Sequence, residues 1–491
     1  MGKFNRFFIF LLCICMILST VFTCASAFNG RNSGPSRSSS SGFSHGSNMG
    51  PQDRGSFNQS WGQPHSSQPQ NQGPFSQSWE QSYSTQPHHQ EANEQTFDQQ
   101  SQMGPMNQNN MTEHPAKPDG DKPGSDKPGS NNDKIEYTAA NTVTENSVGE
   151  SYSSSDNGEN AVLVSGSNVT ISNATVNKTG SSSGDSADFY GTNAAVLAAD
   201  GSNLTIEGTT VITDGGHANG VFSYGNGTVV NVSDTTITTS GNNSGGLMTT
   251  GGATLNAENV TVSTSGNSSA AIRSDRGGGT VSVNGGSYSA SGVGSPAIYS
   301  TADITVSNAT LNASSSEAVV IEGGNSVTLY GVDITGNNSR LNGQSTVNTN
   351  VLIYQSMSGD ASEGNSTFNM SGGTMTAETG AMFHVTNVTT EINLDSVDFN
   401  YASDSNVFLS ATADAWGKSG SNGGNVTLNL TNQTIVGAIV SDSSSSVSVN
   451  LGENSTWKLT GDSSITNFTG DLANVDLNGY TLIIDGVAVN A

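Results

Sequence analysis

The chain has 491 residues, and its 41 Asp and Glu against 15 Lys and Arg give a formal charge of -26. That balance excludes nucleic acid as a natural partner, because phosphate recognition needs a basic face. Hydrophobic residues make up only 32% and glycine fills 59 positions, so any core is narrow and built from short apolar runs, as in a repetitive architecture.

Lys3 and Arg6 precede an apolar run from Phe7 to Phe22, and Ala25-Ser26-Ala27 follows. This pattern predicts a secretory signal over residues 1–27, cleaved before Phe28, and an extracellular, secreted or cell-surface location. The run falls short of the roughly 20 apolar residues that a span needs, so membrane association is expected only through this segment if it stays uncleaved. All three cysteines, Cys13, Cys15 and Cys24, lie inside it. A mature chain without them has no disulfide, no thiolate metal site and no cysteine nucleophile.

Residues 28–134 are rich in Gln, Asn, Ser, Gly and Pro, a composition that cannot bury enough apolar area to offset the entropy of ordering. A disordered leader is expected. Within it the unit GSFNQSWGQPHSSQPQNQ at Gly55 is repeated from Gly73, with Phe57/Phe75 and Trp61/Trp79 in register. Five of the seven histidines sit in this tract, scattered and without the spacing of a metal site.

Beyond Tyr137 a short run recurs eleven times, at Ala161, Ala195, Gly220, Gly246, Ala271, Ala297, Ala318, Val351, Met382, Val407 and Ala438. Alternating segments such as NVTI at Asn168 and TTITT at Thr235 follow it. Three short period-2 strands per turn of about 25 residues, punctuated by Gly and Asn and lacking helical periodicity, predict a right-handed parallel β-helix (a solenoid) over residues 135–491. One turn cannot bury its inner face alone; stacked turns align equivalent positions into a continuous core. With the first residue of each run as origin, the next column reads Val162, Val196, Val221, Leu247, Ile272, Ile298, Val319, Leu352, Phe383, Phe408 and Ile439, and is assigned to the core. The column after it reads Leu163, Leu197, Phe222, Met248, Arg273, Tyr299, Val320, Ile353, His384, Leu409 and Val440. Alternation points it outward, yet it is too apolar for a solvated face, which calls for a cover of leader or long loops, or for a binding strip.

These runs, with the NVTI and NATL strands, resemble secreted right-handed parallel β-helix proteins: adhesin-like surface proteins and the carbohydrate-binding β-helix family that recognises acidic plant polysaccharides. The resemblance covers about residues 160–491 and rests on repeat style. It implies a secreted, non-catalytic carbohydrate-binding or adhesin-like protein whose partner is a polysaccharide or cell-surface glycan. A polysaccharide lyase-like enzyme and a structural surface spacer are the alternatives. Against the lyase stands the chemistry: Arg273, Asp275 and Arg276 offer one rung of suitable residue types where several carboxylates are wanted, and the Trp-Ile-Asp-His motif is absent. Paired glycosidase carboxylates at a set separation are not arguable from the scattered acids.

Four turns are lengthened, giving GDSADFYG (Asp185, Asp188, Phe189, Tyr190), NNSRLNGQ (Arg340), SGDASEG (Asp360, Glu363) and ADAWGKS (Asp414, Trp416, Lys418). The last two flank the rung of His384. Trp416 is the candidate platform for a sugar ring, with Asp414, His384, Asp360 and Glu363 as hydrogen-bonding partners. No cofactor is required; calcium held by Asp360, Glu363 and Asp414 is the candidate ion, bridging an acidic polymer to this acidic chain. Asn-x-Ser/Thr sequons, including Asn168, Asn203, Asn259 and Asn425, abound as the composition dictates. An outward Thr array of the ice-binding kind is interrupted too often by Asn, Ser and Gly to match a lattice.

Overall fold

The computed structural model describes residues 135–339, 346–418 and 420–489, so the signal and leader expected over 1–134, and Arg340, lie outside the described residues. The described chain is an all-β parallel β-helix. Each turn contributes one strand, such as Asn160–Ser165, to a first wall, and a pair, such as Asn168–Ser172 and Thr175–Lys178, to a second. The first wall is a twelve-stranded sheet ordered along the chain from Ala139–Thr142 to Ala438–Ser441. The second is a single 21-stranded sheet, so the paired strands of most turns share one wall; at the C-terminal end Thr434–Val436, Thr456–Lys458 and Val475–Asp476 form a separate three-stranded sheet.

The corner within the second wall explains the Asn and Gly punctuation. Asn173, Asn259 and Asn308 stand there with φ between 52 and 53°, and Gly208, Gly285 and Gly331 take the same left-handed conformation on other turns. Asn tolerates this region because its short amide bonds locally, and glycine because it has no Cβ. At Gly285 a Cβ would come within 2.5 Å of the Asn259 Oδ1, so alternation of Asn with Gly also settles how side chains stack up the corner.

The interior follows from alternation. Val169 and Ile171 point in while Asn168 and Thr170 point out, and the same pattern repeats on every paired strand. Val162, Val196, Val221, Leu247, Ile272, Ile298 and Val319 pair in register and are enclosed. Each contributes roughly 1.5–3 kcal/mol by leaving water. Polar groups that the turns carry inward are satisfied along the axis: the Ser244 amide donates to the Ser269 Oγ and the Ser269 amide to the Ser295 Oγ, each at 2.9 Å. Toward the C-terminal end the core becomes aromatic, with Phe383 packed edge-on to Phe368 and tilted against Phe408 at 5.5 Å.

Three details of the sequence register are corrected. Val351, not Leu352, occupies the core column, because Asn350 rather than Val351 takes the slot of Ala318; Leu352 points outward and Ile353 inward. Leu409, not Phe408, aligns with Phe383, because an irregularity between Val407 and Leu409 inserts one residue; Phe408 stays enclosed among Phe383, Phe399 and Tyr401, and Ser410 takes the outward column. A strand at Ala139–Thr142 also pairs below the first recognised rung.

Candidate functional site

The outward column of the first wall is apolar where an insert lies on it. The GDSADFYG insert forms a six-residue helix, Asp185–Tyr190. Leu163, Leu197, Phe222 and Met248 are buried in an outer cluster distinct from the axial core. Hydrogen bonds fasten the helix to the wall: Thr250 Oγ1 donates to the Phe189 carbonyl at 2.7 Å, and Asp188 meets the His217 Nδ1 at 2.6 Å. A second outer cluster holds Val320, Leu352 and Tyr354, with Trp416 and Tyr299 packed against it.

Between these clusters the column turns polar. Arg273 binds the enclosed Asp275 carboxylate at 2.7 Å. Burial pushes the Asp275 carboxyl up to about 6 despite this cation. Arg276 lies over the Phe189 ring at 3.8 Å and bonds Asp185 at 2.8 Å and Asp360 at 2.7 Å, tying the helix to the SGDASEG insert. Glu322, also buried, accepts from the Tyr299 hydroxyl at 2.5 Å, from the Tyr354 hydroxyl at 3.0 Å and from Ser356. This band is a strut. Its charges find partners within the band, Asp275 and Glu322 enclosed and Asp185 half exposed.

The sequence candidates therefore take different roles. Trp416 stacks on Tyr354 with ring centroids 4.8 Å apart and is half-buried over Leu352, so its indole closes a patch rather than standing free as a platform. Asp414 and His384 are brought together, Nε2 to Oδ2 at 3.3 Å, with both side chains fully enclosed. The Asp414 carboxylate also accepts from the Thr346 amide at 3.0 Å and hydroxyl at 2.7 Å, and from the Ala415 amide at 2.7 Å. Burial raises its pKa, and these hydrogen bonds outweigh that effect, holding the carboxyl well below the usual range. Asp360 is engaged by Arg276 and Ser358. The three carboxylates proposed for calcium do not converge, and among the described residues no three His, Cys, Asp or Glu side chains are gathered to hold a metal ion.

Glu363 alone of the five faces an open groove, of about 330 Å³. The groove runs between the two C-terminal inserts. Gln355, Met357 and Glu363 form one side, Ser421, Gly423 and Asn425 the other, and Asn387 to Thr389 the floor. Asn387 fixes its width: held at φ 55°, it donates through Nδ2 to the Gln355 carbonyl at 2.7 Å and through its amide to the Asn422 carbonyl at 2.6 Å. Glu363 makes no hydrogen bond or ion pair among the described residues, and Met357 exposes 56% of its surface. Met357, Asn387 and Thr389 were not singled out by sequence, and Asn425 was named only as a sequon; the signal for them as lining is the extra length of the two turns that close over their rungs. Comparison of the chain with family models, with curated proteins and with solved structures finds no match.

Proposed function

We propose that this chain is an extracellular, non-catalytic glycan-binding protein of the adhesin-like β-helix type, and that the groove between the two C-terminal inserts is its binding site. The observation that carries this reading is an open 330 Å³ groove with an unengaged carboxylate, amide and hydroxyl groups and one exposed apolar side chain. Sugars present that combination in reverse, with hydroxyls around apolar ring faces. Asp275, whose raised pKa would suit a general acid, is enclosed and tied to Arg273, which favours binding over bond cleavage. Because Asp360 and Asp414 are committed to protein partners, the ligand is a neutral glycan rather than an acidic polymer bridged by calcium.

A glycan array with the secreted protein tests this. Capture of neutral glycans is expected in chelator and in calcium alike, and Glu363→Ala and Met357→Ala should each weaken it about tenfold. Failure to bind any glycan, or parent-like binding by both variants, would contradict the reading. Release of unsaturated sugar products would show a lyase instead.

A further inference from the structure

We propose that the second wall carries a separate glycan platform for an unbranched neutral polysaccharide laid along the helix axis, centred on Tyr330. Among the described residues the wall bears no insert over this stretch, and its outward file reads Thr328, Asn369, Asn393, Asn429 and Asn450 on successive turns. The amides form a ladder. Asn369 Nδ2 donates to Thr328 at 3.0 Å, Asn393 to Asn369 at 2.8 Å, Asn429 to Asn393 at 2.7 Å, and Asn450 to Asn429 at 2.6 Å.

Each ladder bond takes one of two N–H groups. For Asn369, Asn393 and Asn450 no second acceptor occurs among the described residues, while Asn429 gives its second N–H to Glu391 at 2.8 Å, so free donors stand on three of these four turns, at multiples of about 4.8 Å. Tyr330 stands beside this file, 51% exposed, in the column of Ser371, Asp395 and Thr431. Together with Asn369, Asn393 and Asp395 it lines a shallow depression of about 160 Å³. An aromatic face next to a straight file of amide donors matches stacked sugar rings whose hydroxyls repeat along one line.

Charge selects the polymer. The strands of this sheet hold one base, Lys178, which is buried on the carbonyls of Asp156 and Gly180, while Glu391 and Asp395 flank the ladder near Tyr330. An anionic chain is repelled. A regular neutral chain is not, and a branched one would lose contact with the flat file.

Affinity electrophoresis of the secreted protein in gels containing hydroxyethylcellulose or mixed-linkage β-glucan tests this. At least one polymer should retard the parent. Tyr330→Ala should weaken retardation about tenfold, and Tyr330→Phe should stay within about twofold. A parent that neither polymer retards overturns the proposal. So does a Tyr330→Ala variant that binds like the parent, and if Glu363→Ala then abolishes retardation, the groove alone is the site.

Discussion

The two walls are built from the same turns, yet their outward faces differ. On the first wall the outward column holds Leu197, Phe222, Met248, Val320 and Leu352, and inserts bury it. On the second wall the outward positions hold mostly Thr, Ser and Asn, with Ile212 and Tyr330 exposed among them, and no insert among the described residues covers Tyr330 or the Asn ladder. On the first wall an apolar outward residue marks a place where an insert lies, whereas on the second wall Ile212 and Tyr330 stand exposed at outward positions. The first wall consequently has three layers, axial core, strand and insert. Its open site is a groove between covers, whereas that of the second wall is the strand surface itself.

The comparison can be broken at several levels. The largest effect belongs to the core both walls share: Ile298→Asp places an unpaired charge in an enclosed column and should cost about 4 kcal/mol or more, read as loss of the folding transition. A parent-like melt would contradict the register. Next comes the covered wall itself. Phe222→Ala should cost about 3–4 kcal/mol by chemical denaturation although Phe222 points away from the axis, while Asn256→Ala on the bare wall should cost less than about 1 kcal/mol. Equal costs would remove the distinction between the walls.

Smaller effects sharpen how the covers are fastened. Arg276→Ala cuts the links to Asp185 and Asp360 and the contact with Phe189; a loss of about 1–2 kcal/mol is expected, with faster amide exchange over 185–190 and 355–364 and no change on the second wall. The smallest effect concerns Glu317, buried with the Ser316 hydroxyl at 2.7 Å, the Asn338 amide at 2.9 Å and its own backbone amide as partners, where desolvation raises the pKa. Its folded form keeps a proton that the unfolded chain releases above the ordinary value of 4.5. Stability from this group is thus full at lower pH and falls as pH rises from 4.5 through the raised value. Glu317→Gln should flatten that slope and gain about 1 kcal/mol at neutral pH; a steeper slope in the variant would contradict the assignment.

Much of the fold was legible because each turn restates it. The core column at Val196, Leu247 and Ile298 follows from alternation, which nearest neighbours enforce on every rung, and the Asn and Gly noted as punctuation include Asn173, Asn259 and Asn308 at a left-handed corner that the structure located. The reading failed where one residue was added or displaced, at Asn350–Val351 and at Phe408, because a period-2 pattern of apolar residues cannot distinguish a core Phe from a bulged one. The inserts were visible as extra length, but where they fold was not. Trp416 packs on Tyr354, 62 positions away in sequence, and Asp414 turns to Thr346 and His384 rather than to solvent. The groove drew its floor and sides from three separate turns, so of its lining only Glu363 had been named as a binding candidate.

Amide hydrogen exchange with and without a neutral glycan selected on the array tests whether glycan enters the groove between the C-terminal inserts. Protection should appear over 355–364, 387–389 and 421–425 and be lost in Glu363→Ala. Protection confined to the helix at 185–190, or none at saturating glycan, would contradict it.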